Sequence, residues 1–162
     1  MLSFDRRLFC LSALALAGCG FAPVYGPGGG GNALQNKVLV DAPIDRDAFL
    51  LTRELEDRLG RANDARYGLS YGISTSEEAI AISSQNVTTR YNLLGNVTFA
   101  LRDLGSGGVV TSGKLRSFTA YSASGSTVAT QAAKADAHER LMVILADQIT
   151  TRLLAVSADL PA

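Results

Sequence analysis

Few side chains in this sequence of 162 residues are equipped for chemistry. There are two cysteines, Cys10 and Cys19, and one histidine, His138. A thiol can be acylated, oxidised or bound to a metal, and an imidazole can hold a metal or move a proton. One imidazole cannot make a His-rich metal site. His138 also falls within an apolar helical stripe, where a hydrogen-bonded structural histidine is the ordinary outcome. The neighbours Glu77 and Glu78 point to opposite faces of an extended segment, so they do not share a site as two glycosidase acids do. Serines are many, but no Gly-x-Ser-x-Gly elbow occurs. No catalytic constellation emerges: an enzyme is disfavoured, and no metal or cofactor is expected. Four cations remain, Lys114, Arg116, Arg90 and Arg102. On one side of a sheet they could hold phosphates through charge-assisted bonds. The competing account is a solvated sheet face with edge-protecting cations.

Cys19 is distinguished by what precedes it. Arg6 and Arg7 form a basic start, Leu8 to Ala17 is an apolar run broken only by Ser12, and Leu16-Ala17-Gly18-Cys19 closes it. This is the three-part layout of a secretory signal, with an apolar run too short to span a bilayer as a helix. The closing tetrapeptide resembles the lipobox of bacterial lipoproteins. That resemblance implies a signal peptide over 1–18, cleavage before Cys19, a thioether-linked diacylglycerol on its sulfur and a further acyl chain on its new amine. Cleavage would leave 144 residues, one domain's worth, with 13 Lys and Arg against 14 Asp and Glu. So balanced a charge offers no field to attract nucleic acid, and any charge-based binding must be local. No cysteine would remain for a disulfide. Attachment to the membrane would rest on two or three acyl chains, which anchor durably where one does not.

The elements that would position these residues follow from periodicity. Residues 19–36 contain Pro23, Pro27 and Gly28 to Gly31 and read as a lipidated start followed by a flexible tether. The glycine run has no strand before it and no Lys-Ser/Thr after it, so it is not a phosphate-binding loop. The folded domain is expected over 37–157, with a short tail over 158–162. Lys37 to Val40 is β-branched and short. Asp45 is placed to cap a helix that runs to Leu59, with an apolar stripe at Ala48, Leu51, Leu55 and Leu59 and with Arg53, Glu54, Glu56, Asp57 and Arg58 on the other side. Gly60 suits the helix end.

From Arg66 to Ile82 the period is two, marked by Tyr67, Leu69, Tyr71 and Ile73. From Arg90 to Arg102, Tyr91, Leu93, Gly95, Val97, Phe99 and Leu101 share one face. A glycine-rich loop then returns the chain as Val109 to Tyr121 in a long antiparallel hairpin. Val128 to Val156 lacks Gly and Pro and carries Ala135, His138, Leu141, Met142, Leu145, Ile149 and Leu153 at helical steps. The order β-α-β-β-β-α predicts an α+β two-layer sandwich. Two helices pack on one face of a mostly antiparallel four-stranded sheet, the first two strands being parallel neighbours across the helix.

The assembled pattern resembles the lipopolysaccharide-assembly lipoprotein family LptE. The residues that carry this are Cys19-Gly20-Phe21-Ala22-Pro23-Val24-Tyr25-Gly26, Arg90-Tyr91-Asn92-Leu93 running to Leu101-Arg102-Asp103, and Lys114-Leu115-Arg116-Ser117-Phe118 followed by Tyr121 and the Ala-rich helix. The resemblance implies an outer-membrane lipoprotein, held on the periplasmic face by acyl chains on Cys19. It implies a place inside a large LptD-like β-barrel as plug and assembly partner, and lipopolysaccharide delivered through that pair. It further implies that basic sheet residues contact the phosphorylated lipid, with Lys114 and Arg116 ahead of Arg90 and Arg102. Gly20 after the cysteine fits outer-membrane sorting. The chain departs from some family members in lacking a long polar C-terminal tail. Two other readings compete: an auxiliary lipoprotein of an ABC-type lipid transport system, and a lipoprotein enzyme acting on cell wall or lipid, for which candidate residues are missing.

Overall fold

The computed structural model describes residues 31–82, 87–157 and 160. Its elements are α1 (Gly31–Leu34), β1 (Val38–Val40), α2 (Arg46–Leu59), β2 (Tyr67–Ile82), β3 (Thr88–Asp103), β4 (Val109–Ser122) and α3 (Thr127–Ser157). The sheet has the order β1-β2-β3-β4, with β1 parallel to β2 and the other pairs antiparallel. The α+β sandwich expected from the periodicity is present, its sheet mixed as the β1–α2–β2 unit requires.

One element was not foreseen. Helix α1 lies within the stretch read as tether, and Leu34 is fully buried in the core. Asn36 adopts a positive φ of 58° and its N–H donates to the Leu59 carbonyl at 2.8 Å. The chain therefore joins the domain before Lys37, next to the end of α2. Gly60 there has a φ of 75°, and a Cβ on it would collide with Asn36 Oδ1. Glycine is required at this helix end for both reasons.

Helix α2 starts where Asp45 accepts a hydrogen bond from Ala48 N at 2.7 Å, satisfying one of the orphan amides of the first turn. Its buried side comprises Ala48, Leu50, Leu51, Thr52, Leu55 and Leu59. The polar side is less solvated than the sequence suggests. Arg53 bonds Glu139 at 2.8 Å, Arg58 bonds Asp147 at 2.7 Å, and Glu54 bonds both arginines, at 3.0 and 2.8 Å. These ions lace α2 to α3 along a seam. The Arg58 guanidinium, first, and Arg53 hold the Glu54 carboxyl below the usual range against the opposing effect of partial burial.

Helix α3 supplies most of the cover for the sheet. At 31 residues it is about 46 Å long, enough to run the length of the hairpin it lies on. Ser126 Oγ accepts from Ala129 N at 3.2 Å and caps it. Leu141, Met142, Leu145, Ile149 and Leu153 are fully buried, against Leu93, Val97, Phe99 and Leu101 of β3. Gly95 is the point of closest approach: a Cβ there would lie 2.8 Å from Leu141 Cδ2. Ala135 and His138, expected on the buried stripe, are only partly covered, and Ala137 takes the buried place. Thr119 Oγ1 donates to the Ala137 carbonyl at 3.0 Å, which pins the helix to β4 at that point.

The β3–β4 turn is organised by Asp103, whose carboxylate accepts from Ser106 N at 2.7 Å and from Ser106 Oγ at 3.0 Å. The period of two in β2 is interrupted near its end by register shifts from Ala79 to Ile82.

Leu145 should report the packing of the whole sandwich. Leu145→Ala removes a fully buried side chain at the helix–sheet contact and should cost about 2–5 kcal/mol. Urea unfolding followed by circular dichroism measures it.

Candidate functional site: the open face of the sheet

The two long helices, α2 and α3, cover one face of the sheet and leave the other open. Register decides which side chains lie there, because directly paired residues in a ladder project to the same face. Lys114 pairs with Thr98 and Arg116 with Asn96. Thr98 pairs in turn with Gly72, and Asn96 with Ser74. Arg90 and Arg102 share the parity of Asn96 and Thr98 on β3. All four predicted cations thus stand on the face away from the helices.

The structure brings only two of them together. Lys114 and Arg116 are two residues apart on β4 and flank one depression. Arg102 is four residues beyond Thr98 along β3, and Arg90 six residues before Asn96. At roughly 3.4 Å per residue these are separations of about 13 Å and 20 Å. Arg90 and Arg102 mark opposite ends of the strand and do not join the central pair.

The depression has a volume of about 390 Å³ and is lined by Gly72, Ser74, Asn96, Thr98, Lys114 and Arg116, with Ile73 also at its margin. Its floor is low because the stretch of β2 beside it presents Gly68, Ser70, Gly72, Ser74 and Ser76 on this side; Glu78 follows farther along the same face, opposite Asn92. Arg116 Nε donates to Asn96 Oδ1 at 2.9 Å, which orients the guanidinium across the strand. Neither Lys114 nor Arg116 forms an ion pair with any described residue. An ammonium and a planar fork, neither paired with an acid and the fork held only by Asn96, beside neutral donors and acceptors, suit a phosphate ester. Phe118, 65% exposed and opposite Leu94 on the same face, adds apolar surface next to the cations. The arrangement can hold an anionic amphiphile. Sequence reasoning passed over Phe118 and Asn96, although the alternation of β4 already put Phe118 on the face of Arg116.

Several charged groups on the helix side are paired within the fold, while the buried Tyr67 Oη and Thr150 Oγ1 have no hydrogen-bond partner among the described residues. His138 Nδ1 lies 2.9 and 3.0 Å from the two oxygens of Asp47, which ties α3 to the first turn of α2. Glu77 and Glu78 do point to opposite faces. Glu77 turns to the helices, where it meets Lys134 Nζ at 2.7 Å and accepts from Tyr121 Oη at 3.2 Å. Burial pushes the Tyr121 phenol up to about 12, with the Glu77 charge and hydrogen bond adding to the effect. Burial also works to raise the Glu77 carboxyl, but the Lys134 ammonium and the Tyr121 hydroxyl outweigh it and hold the group below its usual value. Asp45, Arg46, Asp47, Gln131, Lys134 and His138, together with Ala135, border an open cleft of about 480 Å³ off the start of α2. Its charges are mixed and largely paired within the fold. Among the described residues no three His, Cys, Asp or Glu groups gather as a metal site. Cys19 lies outside the described residues.

The family model described as LptE, lipopolysaccharide-assembly, matches residues 35–153. The chain belongs to the LptE family. None of the curated proteins matches the sequence. Among solved structures, the fold of this LptE-family chain is similar to that of a protein of Caulobacter crescentus described as a candidate lipoprotein, at 24% identity and a TM-score of 0.64, covering 82% of this chain and 98% of that one. It is similar to rare lipoprotein B of Shewanella oneidensis at 14% identity and a TM-score of 0.59, covering 76% of this chain and 96% of that one. A minor lipoprotein of Acinetobacter baumannii matches at 19% identity and a TM-score of 0.54, covering 74% and 89%. At these identities the structural likeness carries the fold. The family match carries the assignment to lipopolysaccharide assembly.

The Glu77–Lys134 pair makes a pH prediction. A carboxyl held below its unfolded value stabilises the fold above that value, about 4.3, and the contribution is lost as pH falls through the folded-state pKa. Lys134→Met should therefore lose less stability than the parent between about pH 7 and about pH 3. Urea titrations across that range measure the difference.

Proposed function

We propose that the protein is an outer-membrane lipoprotein, anchored through acyl chains on Cys19 at the periplasmic face, that serves as plug and assembly partner of a large LptD-like β-barrel. On this reading it binds lipopolysaccharide on the open face of its sheet. Membership of the LptE family supports the role in lipopolysaccharide assembly. The observation that carries the binding site is the pair Lys114 and Arg116, uncommitted to any described acid, beside a shallow depression, with the exposed Phe118 two residues beyond Arg116 on the same face. The lipid part of lipopolysaccharide is a phosphorylated sugar with acyl chains. Cations next to an exposed aromatic ring match that division into charge and hydrocarbon.

The fold suits a plug on physical grounds. One face of the sheet is consumed by the core, and the other presents Ser, Thr, Asn and Gly with a few cations. Such a surface is compatible with the polar lumen of a large barrel. The stretch from Gly20 to Gly30, eleven residues, would let the acyl chains stay in the leaflet while the domain reaches the barrel. Arg90 and Arg102, at the two ends of β3, are assigned a minor part.

Two experiments test the proposal. Charge reversal by Lys114→Glu with Arg116→Glu should weaken lipopolysaccharide binding at least about tenfold while leaving the unfolding free energy within about 0.5 kcal/mol, as expected of surface changes. Unchanged binding with an intact fold removes these residues from the site. Affinity purification from outer membranes should recover a large barrel. Recovery of inner-membrane transporter subunits alone contradicts the partnership.

A further inference from the structure

Among the described residues no strand pairs with the outer edge of the last strand of the sheet, and its hydrogen-bonding parity can be read from two contacts. Ala123 N donates to Thr89 O at 2.9 Å, so odd-numbered residues at this end of the strand face β3. The Ala120 carbonyl instead accepts from Arg140 Nη2 at 3.0 Å, on the outer side. In an antiparallel ladder the N–H and C=O of one residue point to the same neighbour and alternate along the strand. Ser112, Lys114, Arg116 and Phe118 therefore aim both main-chain groups outward, and β4 is the terminal strand of the sheet. These donors and acceptors, spaced about 6.8 Å apart, are a template for one more strand.

Side-chain space beside this edge is specific. On the helix face, a slot of about 170 Å³ opens between the edge and the last two turns of α3. Phe99, Leu115, Ala155 and Val156 line it, with Lys114 and Arg152 at its margin. The Phe99 ring lies over Gly113, where a Cβ would be 2.9 Å from Phe99 Cε1, and so forms one wall of the slot. On the open face, the same edge carries Lys114 and Arg116. Arg152 forms no ion pair with a described residue.

We propose that the β4 edge between Ser112 and Phe118 binds an extended segment of a partner polypeptide by strand addition, and that it selects a period-two pattern of acidic and apolar residues. Successive side chains of an added strand fall on opposite faces. Those on the open face lie beside Lys114 and Arg116 and are acidic. Those on the helix face lie over Gly113, and one apolar side chain fills the slot against Phe99 and Ala155. The main chain supplies affinity and the two faces supply selectivity, as in other strand-addition sites. The other free edge, on β2 beyond Leu69, lacks this combination: its residues from Ser74 to Ile80 are exposed on both faces and include Glu77 and Glu78. The inference goes beyond lipid binding and does not depend on it.

The test uses the whole chain in detergent, with isotope labelling, and a capped seven-residue peptide alternating Glu and Val as probe. Binding should slow amide exchange at Ser112, Lys114, Arg116 and Phe118 and shift the Gly113 and Ala155 resonances. The Lys–Val counterpart should bind at least about tenfold more weakly. Ser112→Pro removes an outward N–H without touching the inner ladder, so it should abolish binding in a protein that still folds. Ala155→Leu fills the slot from the helix and should erase the preference for Val over Ser at the central position. Equal affinity for the acidic and basic peptides, binding undiminished in Ser112→Pro, or protection confined to β2 would each overturn the proposal. So would sedimentation showing that the edge is occupied by a second copy of the chain.

Discussion

The contact between α3 and the β3–β4 hairpin is the constraint on which the rest depends. Leu141, Leu145, Ile149 and Leu153 enter the sheet where Gly95 leaves room and where Leu93, Val97, Phe99 and Leu101 form the opposing layer. Burying one face of a 16-residue strand and its partner commits every other residue of those strands to that side. The opposite parity is thereby fixed on the open face, Lys114 and Arg116 included. A one-residue slip of β4 would carry both cations into the core, where unpaired charge is costly. Core packing therefore sets the geometry of the candidate site.

The second feature is an uneven division of labour between the helices. Helix α2, with 14 residues, covers only the early part of β2, through Tyr71, whose hydroxyl meets Thr52 Oγ1 at 2.6 Å. Helix α3 runs on alone over the remainder. Ions bridge the helices along their shared seam, and His138 closes that seam on Asp47. Surface pairs of this kind contribute little singly. Their arrangement as a network spanning two elements gives them a role in fixing the angle of α3 over the sheet. The seam ions of the helix side are thus absorbed by structure, whereas the open face and the β4 edge carry Lys114 and Arg116 without acid partners among the described residues.

Much of this was legible in the residues. Alternation from Tyr91 to Leu101 and the helical steps from Leu141 to Leu153 identify both sides of the main interface, and Asp45 and Gly60 bracket α2. Three things were not legible. Helix α1 follows a glycine run, and its burial rests on Leu34 alone, a single apolar residue without a period. Ala137 displaced Ala135 from the core because alanine is too small and too common in that helix to mark a stripe. The four cations could be assigned to a face by parity, yet their spacing required the pairing register. That register set Lys114 beside Thr98 and left Arg90 and Arg102 at the two ends. Phe118 was visible by parity and overlooked because an aromatic residue on a strand reads as core.

One face of the sheet is spent on packing, and in the proposed function the other meets the lipid. Site-specific photo-crosslinking in outer membranes tests this most directly, with the reactive group placed at Thr98 or Phe118 on the open face and at Asp136 or Glu139 on the exposed side of α3. Lipopolysaccharide adducts from Thr98 and Phe118 and none from the helix positions are the expected result. Adducts from Asp136 or Glu139 with none from Thr98 or Phe118 would contradict it.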